Sequence, residues 1–167
     1  PMDYEKWGKL PGMSNWDFKH VLPYFNKMET ALGSEPNDPR RGHNGPLVLT
    51  RGPATSPLFQ AFFESVQQAG YNLTNDVNGY RQEGFAPFDR NIFKGKRLSA
   101  ARAYLHPVLD RKNLDVRTRA FTTRILFDGE TATGVEYEWK GAKRRVYADK
   151  VILCGGAINT PQLLQLS

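Results

Sequence analysis

The sequence predicts a mixed α/β chain: part of a parallel sheet carrying an antiparallel β-meander, preceded by a region of helices and loops. Three observations predict it. Apolar residues recur at helical spacing in the first seventy residues. Between 121 and 148 apolar and polar residues alternate, punctuated by Asp128-Gly129 and Lys140-Gly141. The wholly apolar Val151-Ile152-Leu153-Cys154 then runs into Gly155-Gly156 and a helical stretch, as expected of a strand buried on both faces.

In chain order, residues 14 to 29 read as a helix. Ser14 and Asp17 have capping-box spacing, and Phe18, Val21, Leu22, Phe25 and Met28 make one apolar stripe. Pro23 should kink or shorten it. Residues 33 to 46, rich in Gly, Pro, Asn and Asp, read as a loop, and Leu47 to Thr50 as a short strand. Ser56-Pro57 opens a second helix whose buried face is Leu58, Ala61, Phe62, Val66 and Ala69, closed by Gly70. Residues 71 to 97 have weak periodicity and read as loops and short strands. Ser99 opens a third helix that reaches Arg111 at most and is distorted by Pro107.

The texture then changes. Leu114 to Thr118 alternates and reads as a strand. The meander follows as Phe121 to Phe127, Ala132 to Trp139 and Arg144 to Ala148. Thr160 and Pro161 read as the cap and first residue of a last helix.

Hydrophobic residues are 40% and charged residues 24% of the 167, an ordinary globular balance that excludes wholesale disorder. No apolar run approaches the roughly 18 residues that span a bilayer, and the first thirty residues carry no leader-like apolar segment. Both ends read as cut from a longer chain. The net charge of +6 is scattered over Arg40-Arg41, Lys94-Gly95-Lys96-Arg97 and Lys143-Arg144-Arg145. No nucleic-acid motif accompanies these groups, so they read as solvated loop ends and no nucleic-acid partner is expected. Cys154 is the only cysteine, which excludes an internal disulfide and a cysteine zinc cluster. It reads as a small buried hydrophobe.

Candidate chemistry is sparse. His20, His43 and His106 have no metal-ligand spacing and read as surface or packing residues. Asn75-Asp76-Val77-Asn78-Gly79 has part of a calcium-loop pattern but lacks the later acidic ligand, so a solvated turn is the reading. Asn72-Leu73-Thr74 is a glycosylation pattern without a secretory leader. Gly155, Gly156 and Ala157 are the stronger signal. They join a buried strand to a helix N-terminus, where small residues let a cofactor approach the backbone. Tight strand–helix packing is the competing explanation.

The run Gly156-Ala157-Ile158-Asn159-Thr160-Pro161-Gln162-Leu163-Leu164-Gln165-Leu166-Ser167 resembles the second signature of the glucose–methanol–choline (GMC) oxidoreductases. Further stretches resemble the choline-oxidising branch of that family. They are Asn15-Trp16 through Phe25, Gly45-Pro46-Leu47, Gln68 to Tyr71, Asn78 to Phe85, Gly95 to Ala101 and Ala132 to Tyr137.

The resemblance implies FAD as cofactor and a small-molecule alcohol as substrate, choline going to betaine aldehyde. A GMC dehydrogenase for another primary alcohol, or a non-catalytic binding protein that kept the fold, are the alternatives. It implies that residues 1–98 are part of a substrate-binding domain and 99–167 part of the FAD-binding domain. The family's glycine-rich dinucleotide loop would lie upstream of Pro1 and its catalytic histidine downstream of Ser167, so no catalytic residue is assigned here. Cofactor-binding residues carried over are Thr122, whose backbone would hold the adenine of FAD, with Gly155, Gly156 and Ala157. Tyr80, Phe85 and Phe88 are candidates either for a substrate pocket or for core. The electron acceptor and the compartment stay open; the resemblance implies a membrane-associated parent, on the bacterial cytoplasmic side or in mitochondria.

Overall fold

Asp17, rather than Ser14, opens the first long helix. In the computed structural model, which describes residues 1–167, Ser14–Trp16 is a single 3₁₀ turn. The Asp17 carboxylate accepts the His20 N–H at 2.9 Å and caps the helix Phe18–Met28 (α2). Pro23 sits within α2 without ending it. A seven-residue helix, Met2–Gly8 (α1), precedes it and has no counterpart in the sequence reading, because Asp3, Glu5 and Lys6 interrupt any apolar stripe.

The chain forms two compact units, Pro1–Arg111 and Lys112–Ser167. In the first, α2 passes directly into Glu29–Ala31 (β1), which runs parallel to Leu47–Arg51 (β2) with Glu29 opposite Leu47. Asp89–Arg90 (β3) adds antiparallel to β2, so the small sheet is mixed. Gly45 lets the two parallel strands begin together: its N–H donates to the Glu29 carbonyl at 2.9 Å, and a Cβ there would lie 2.3 Å from the Glu29 nitrogen.

The helix Pro57–Gln68 (α3) starts after Ser56 as expected and ends before Gly70, at φ +81°. Its expected buried face is not buried. Only Val66 is enclosed, whereas Leu58 is 81% exposed. A short hairpin joins Ile92–Phe93 (β4) to Lys96–Arg97 (β5). The third helix is replaced by a wide π turn over Ala101–Leu105 and a 3₁₀ turn over His106–Val108. Pro107 accounts for the break, since it has no N–H to continue the ladder. Tyr104 is half-exposed, and its hydroxyl donates to the Met28 carbonyl at 2.8 Å.

The second unit is built on the meander Phe121–Asp128 (β6), Thr131–Trp139 (β7) and Ala142–Tyr147 (β8), all antiparallel and in that order. Its turns are two-residue loops. Gly129, at φ +57°, is the first central residue of the β6–β7 loop, so the turn is Gly129-Glu130 and not Asp128-Gly129. Glycine with positive φ at that position is the II′ arrangement. Lys140 and Gly141 both have positive φ, the I′ arrangement that matches the strand twist.

Two register shifts interrupt the β6–β7 ladder, one at Thr123 and one at Thr133. Each extra threonine turns its hydroxyl across the ladder: Thr123 donates to the Glu136 carbonyl and Thr133 to the Leu126 carbonyl, both at 3.2 Å. Ile125, Leu126 and Tyr137 form this unit's core.

Two expected strands are absent. Leu114–Thr118 is irregular, and its Arg117 side chain bonds the Tyr137 hydroxyl and Asp115 instead of a neighbouring strand. Val151–Cys154 is without ladder partners: the sheet of this unit ends at β8 on one side and β6 on the other. An apolar tetrapeptide becomes a strand only where neighbours take its backbone groups. The last helix, Gly156–Gln165 (α4), begins a turn earlier than Thr160. Pro161 is therefore inside it, and Thr160 is no cap. No helix of the chain is long and apolar enough to cross a membrane.

Candidate functional site

One face of the meander, with Phe121–Thr123 of β6, Gly134 and Val135 of β7 and Val146 of β8, encloses an open, mainly apolar cleft of about 820 Å³ together with the Lys150–Gly155 segment and one side of α4. Each wall follows from local chemistry. β6 is an edge strand, so the backbone groups facing away from β7 have no strand partner. Thr122 stands on this wall, just before the bulge at Thr123. Ile152 is 83% exposed. Leu163 comes from α4 and Leu166 from the residue that follows it.

Gly155 closes the cleft at the start of α4. Its N–H donates to Thr160 Oγ1 at 3.1 Å. A Cβ at Gly155 would lie 3.1 Å from that oxygen, so the turn is tight against the helix. Gly156 is different. Its φ is +85° and a Cβ there would meet nothing within 4 Å. Glycine is required at 156 by backbone conformation, whereas at 155 space is the restriction.

The structure thus brings Thr122 and Gly155 to one cleft and leaves Gly156 and Ala157 outside its lining. Cys154 lines it too and is exposed rather than buried, because no strand covers its segment. Asn159, Thr160 and Leu163 were missed as lining residues. Their signal lay in the spacing of the run 156–167, but a helix starting at Thr160 would have turned them elsewhere.

Below this cleft the meander carries a charged face. Glu136 on β7 meets Arg145 on β8 at 3.1 Å. The Arg145 hydrogen bond holds the Glu136 carboxyl below its usual range. Lys143, Arg144 and Arg145 are exposed as expected, but they lie within strand β8 and not at a loop end.

Arg41 is a correction. It is 3% exposed, not a solvated loop end. Its guanidinium meets Glu29 at 2.8 Å, Asp89 at 2.9 Å and also Asp76. Arg51 reaches Asp89 at 2.6 Å and Asp76 at 3.3 Å. Asp76 thus opens the expected turn, its carbonyl accepting the Gly79 N–H at 3.2 Å, but its carboxylate is enclosed in an ion cluster rather than solvated. Burial alone would raise the Asp89 carboxyl, but the hydrogen bonds from Arg51 and Arg41 outweigh it and hold it below its usual range. For Arg41, burial would lower its ordinary value, and Glu29 and Asp89 together raise it instead.

The histidines hold no common site: His20 bonds Asp17, His43 lies 3.4 Å from the Asp38 carbonyl, and His106 is exposed. Tyr80 is covered on one face by Arg40 at 4.4 Å. Phe85 packs edge-on against Phe62 and Tyr71, and Phe88 is exposed. These three aromatics line no shared cavity.

The pattern of one family, described as GMC oxidoreductase, matches residues 1–167. The chain belongs to the GMC oxidoreductase family. Among the relatives of this GMC chain, the oxygen-dependent choline dehydrogenase of Staphylococcus xylosus is 59% identical over all 167 residues, which are 30% of that protein. The protein of the same name from Staphylococcus haemolyticus is also 59% identical, over 29% of its length. The GMC chain thus spans about 30% of the length of the curated relatives it matches. Among solved structures, pyridoxine 4-oxidase from Mesorbium loti superposes with a TM-score of 0.88 at 30% identity, over 98% of this chain and 32% of that one. An FAD-dependent oxidoreductase from Chaetomium thermophilum gives 0.84 at 29% identity, over 99% and 31%.

Proposed function

We propose that this GMC chain is the middle segment of an FAD-dependent dehydrogenase that oxidises a primary alcohol of the choline type, to betaine aldehyde where choline is the substrate. The observation that carries the choline branch is the identity of 59% to proteins named oxygen-dependent choline dehydrogenase, against 30% to the pyridoxine 4-oxidase.

The residues present fit a flavin dinucleotide. The cleft of about 820 Å³ lies within the usual range of cofactor sites. Its β6 wall offers backbone groups without a strand partner, suited to an adenine edge, and Gly155 removes the side chain where the strand segment turns into α4. In this reading Thr122 holds the adenine through its backbone, and Leu163 with Ile152 supplies apolar cover. Gly156 and Ala157 shape the turn without lining the cleft. When bound, the flavin accepts hydride from the alcohol carbon.

Residues 99–167 then serve the FAD-binding domain and residues 1–98 the substrate-binding domain. The ion cluster around Arg41 ties β1, β2 and β3 into a fixed base for the latter. The test is purification of the complete oxidoreductase. Bound FAD and choline-dependent dye reduction are expected, with slower turnover of ethanolamine and pyridoxine. A colourless protein, or one that prefers pyridoxine, would overturn the reading.

A further inference from the structure

Ser167 resolves two unpaired backbone groups with one hydroxyl. The first is on the sheet. The Ile125 N–H points away from β7 and donates to Ser167 Oγ at 2.8 Å. The second is on the helix. The last carbonyls of a helix lack i+4 donors. The Ser167 N–H, which could have served Leu163, goes to Leu164 at 3.3 Å. The Leu163 carbonyl instead accepts the Ser167 hydroxyl proton at 2.6 Å. A hydroxyl does both because it is donor and acceptor at one atom. Of the two residues it joins, Leu163 lines the cleft from α4, and Ile125 follows the Phe121–Thr123 stretch that lines it from β6.

We propose that Ser167 is a positioning residue that latches α4 to the edge of β6, sets the spacing between the two cleft walls, and thereby tunes how tightly the complete oxidoreductase holds FAD. The proposal rests on the cofactor reading above. Loss of the hydroxyl leaves α4 held to β6 by packing alone, without the hydrogen-bonded link. It strands an edge N–H and a helix carbonyl as well.

The test is FAD titration into the apo form of the complete oxidoreductase, followed by flavin fluorescence. Ser167→Ala is expected to raise the FAD Kd roughly tenfold, the combined effect of two ordinary hydrogen bonds. Ser167→Thr, which keeps the hydroxyl, should stay within about twofold of the wild type. Ser167→Cys keeps the size with a poor donor and should weaken binding even if the alanine variant does not fold. Val66→Ala, which opens a small cavity in the first unit, serves as a control that lowers Tm without moving the FAD Kd. The latch is overturned if Ser167→Cys binds FAD as the wild type does, or if Val66→Ala weakens FAD as much as Ser167→Cys. A wild-type protein that takes up no FAD would instead overturn the cofactor reading itself.

Discussion

Arg41 and Asp89, 48 residues apart in sequence, meet at 2.9 Å with almost no solvent around either side chain. Asp89 also receives Arg51 at 2.6 Å, so one carboxylate ties a loop, β2 and β3 together. Breaking such a buried pair by removing one partner costs about 3–5 kcal/mol, mostly because the other charge is left uncompensated.

Asp89→Asn should therefore destabilise the protein at neutral pH, and the loss should depend on pH in a set direction. The folded Asp89 carboxyl lies below its unfolded value, which is about 3.9. Its contribution is complete above that unfolded value and disappears as the pH falls through the folded one. The gap in Tm between wild type and Asp89→Asn should be widest from about pH 5 upward and narrow steadily toward pH 3. A gap that stays constant across the series would contradict this account.

The meander makes a second demand. Gly134 on β7 faces β8 so closely that a Cβ would lie 2.2 Å from the Val146 carbonyl oxygen. Backbone, not a flexible side chain, occupies that space. Gly134→Ala should force β7 and β8 apart and cost about 1–3 kcal/mol, as overpacked cores do. Chemical denaturation measures it. Gly129→Ala, in open space at the loop tip, should cost only the backbone strain of its positive φ, about 1–2 kcal/mol.

The meander was the legible part of the sequence, and the reason is that its information is local. Alternation sets the strand faces, and the glycines of two-residue loops set the turns within one residue. Arg41 was illegible because its partners Glu29, Asp76 and Asp89 come from distant segments; beside Arg40 it reads as one more exposed charge. The start of α4 failed for a different reason. Thr160-Pro161 is a good local opening for a helix, but the fold places glycine at φ +85° one turn earlier and uses the Thr160 hydroxyl to hold Gly155. Within the cleft, Thr122 and Gly155 could be named from the family pattern, whereas the distinction between Gly155 and Gly156 needed their backbone angles.

That distinction can be measured. At Gly156 the penalty comes from φ, so residues that tolerate the left-handed region should rank first. Gly156→Asn should be the mildest, Gly156→Ala intermediate and Gly156→Val the worst, since a β-branched residue at positive φ is a severe outlier. Gly155→Ala should act through contact with Thr160, and Thr160→Ser should not relieve it because the hydroxyl remains. The readout is the flavin-to-protein absorbance ratio of the complete oxidoreductase, with Cys154→Ala as the reference that should lose least. Equal losses for Gly156→Asn and Gly156→Val would remove the backbone explanation.

Thr122 tests whether the cleft holds its ligand by main chain or side chain. The residue sits on an edge strand beside a bulge, half-buried, opposite Tyr137. Its hydroxyl makes no hydrogen bond, in contrast to Thr123, whose hydroxyl crosses the ladder. A side chain with no bond to lose can be exchanged cheaply, and valine keeps the branched shape that suits a strand. Thr122→Val should therefore leave both the FAD content and Tm of the complete oxidoreductase nearly unchanged. Thr123→Val should lower Tm, because it removes the donor to the Glu136 carbonyl, a loss of about 1 kcal/mol. Thr122→Pro keeps a compact side chain but deletes the backbone N–H. It should cost FAD binding far more than Thr122→Val does, and proline is tolerated best on an edge strand, so the fold has a route to survive. If Thr122→Val emptied the protein of flavin while Thr122→Pro retained it, the main-chain account of this wall would be wrong, and the hydroxyl would have to be the contact.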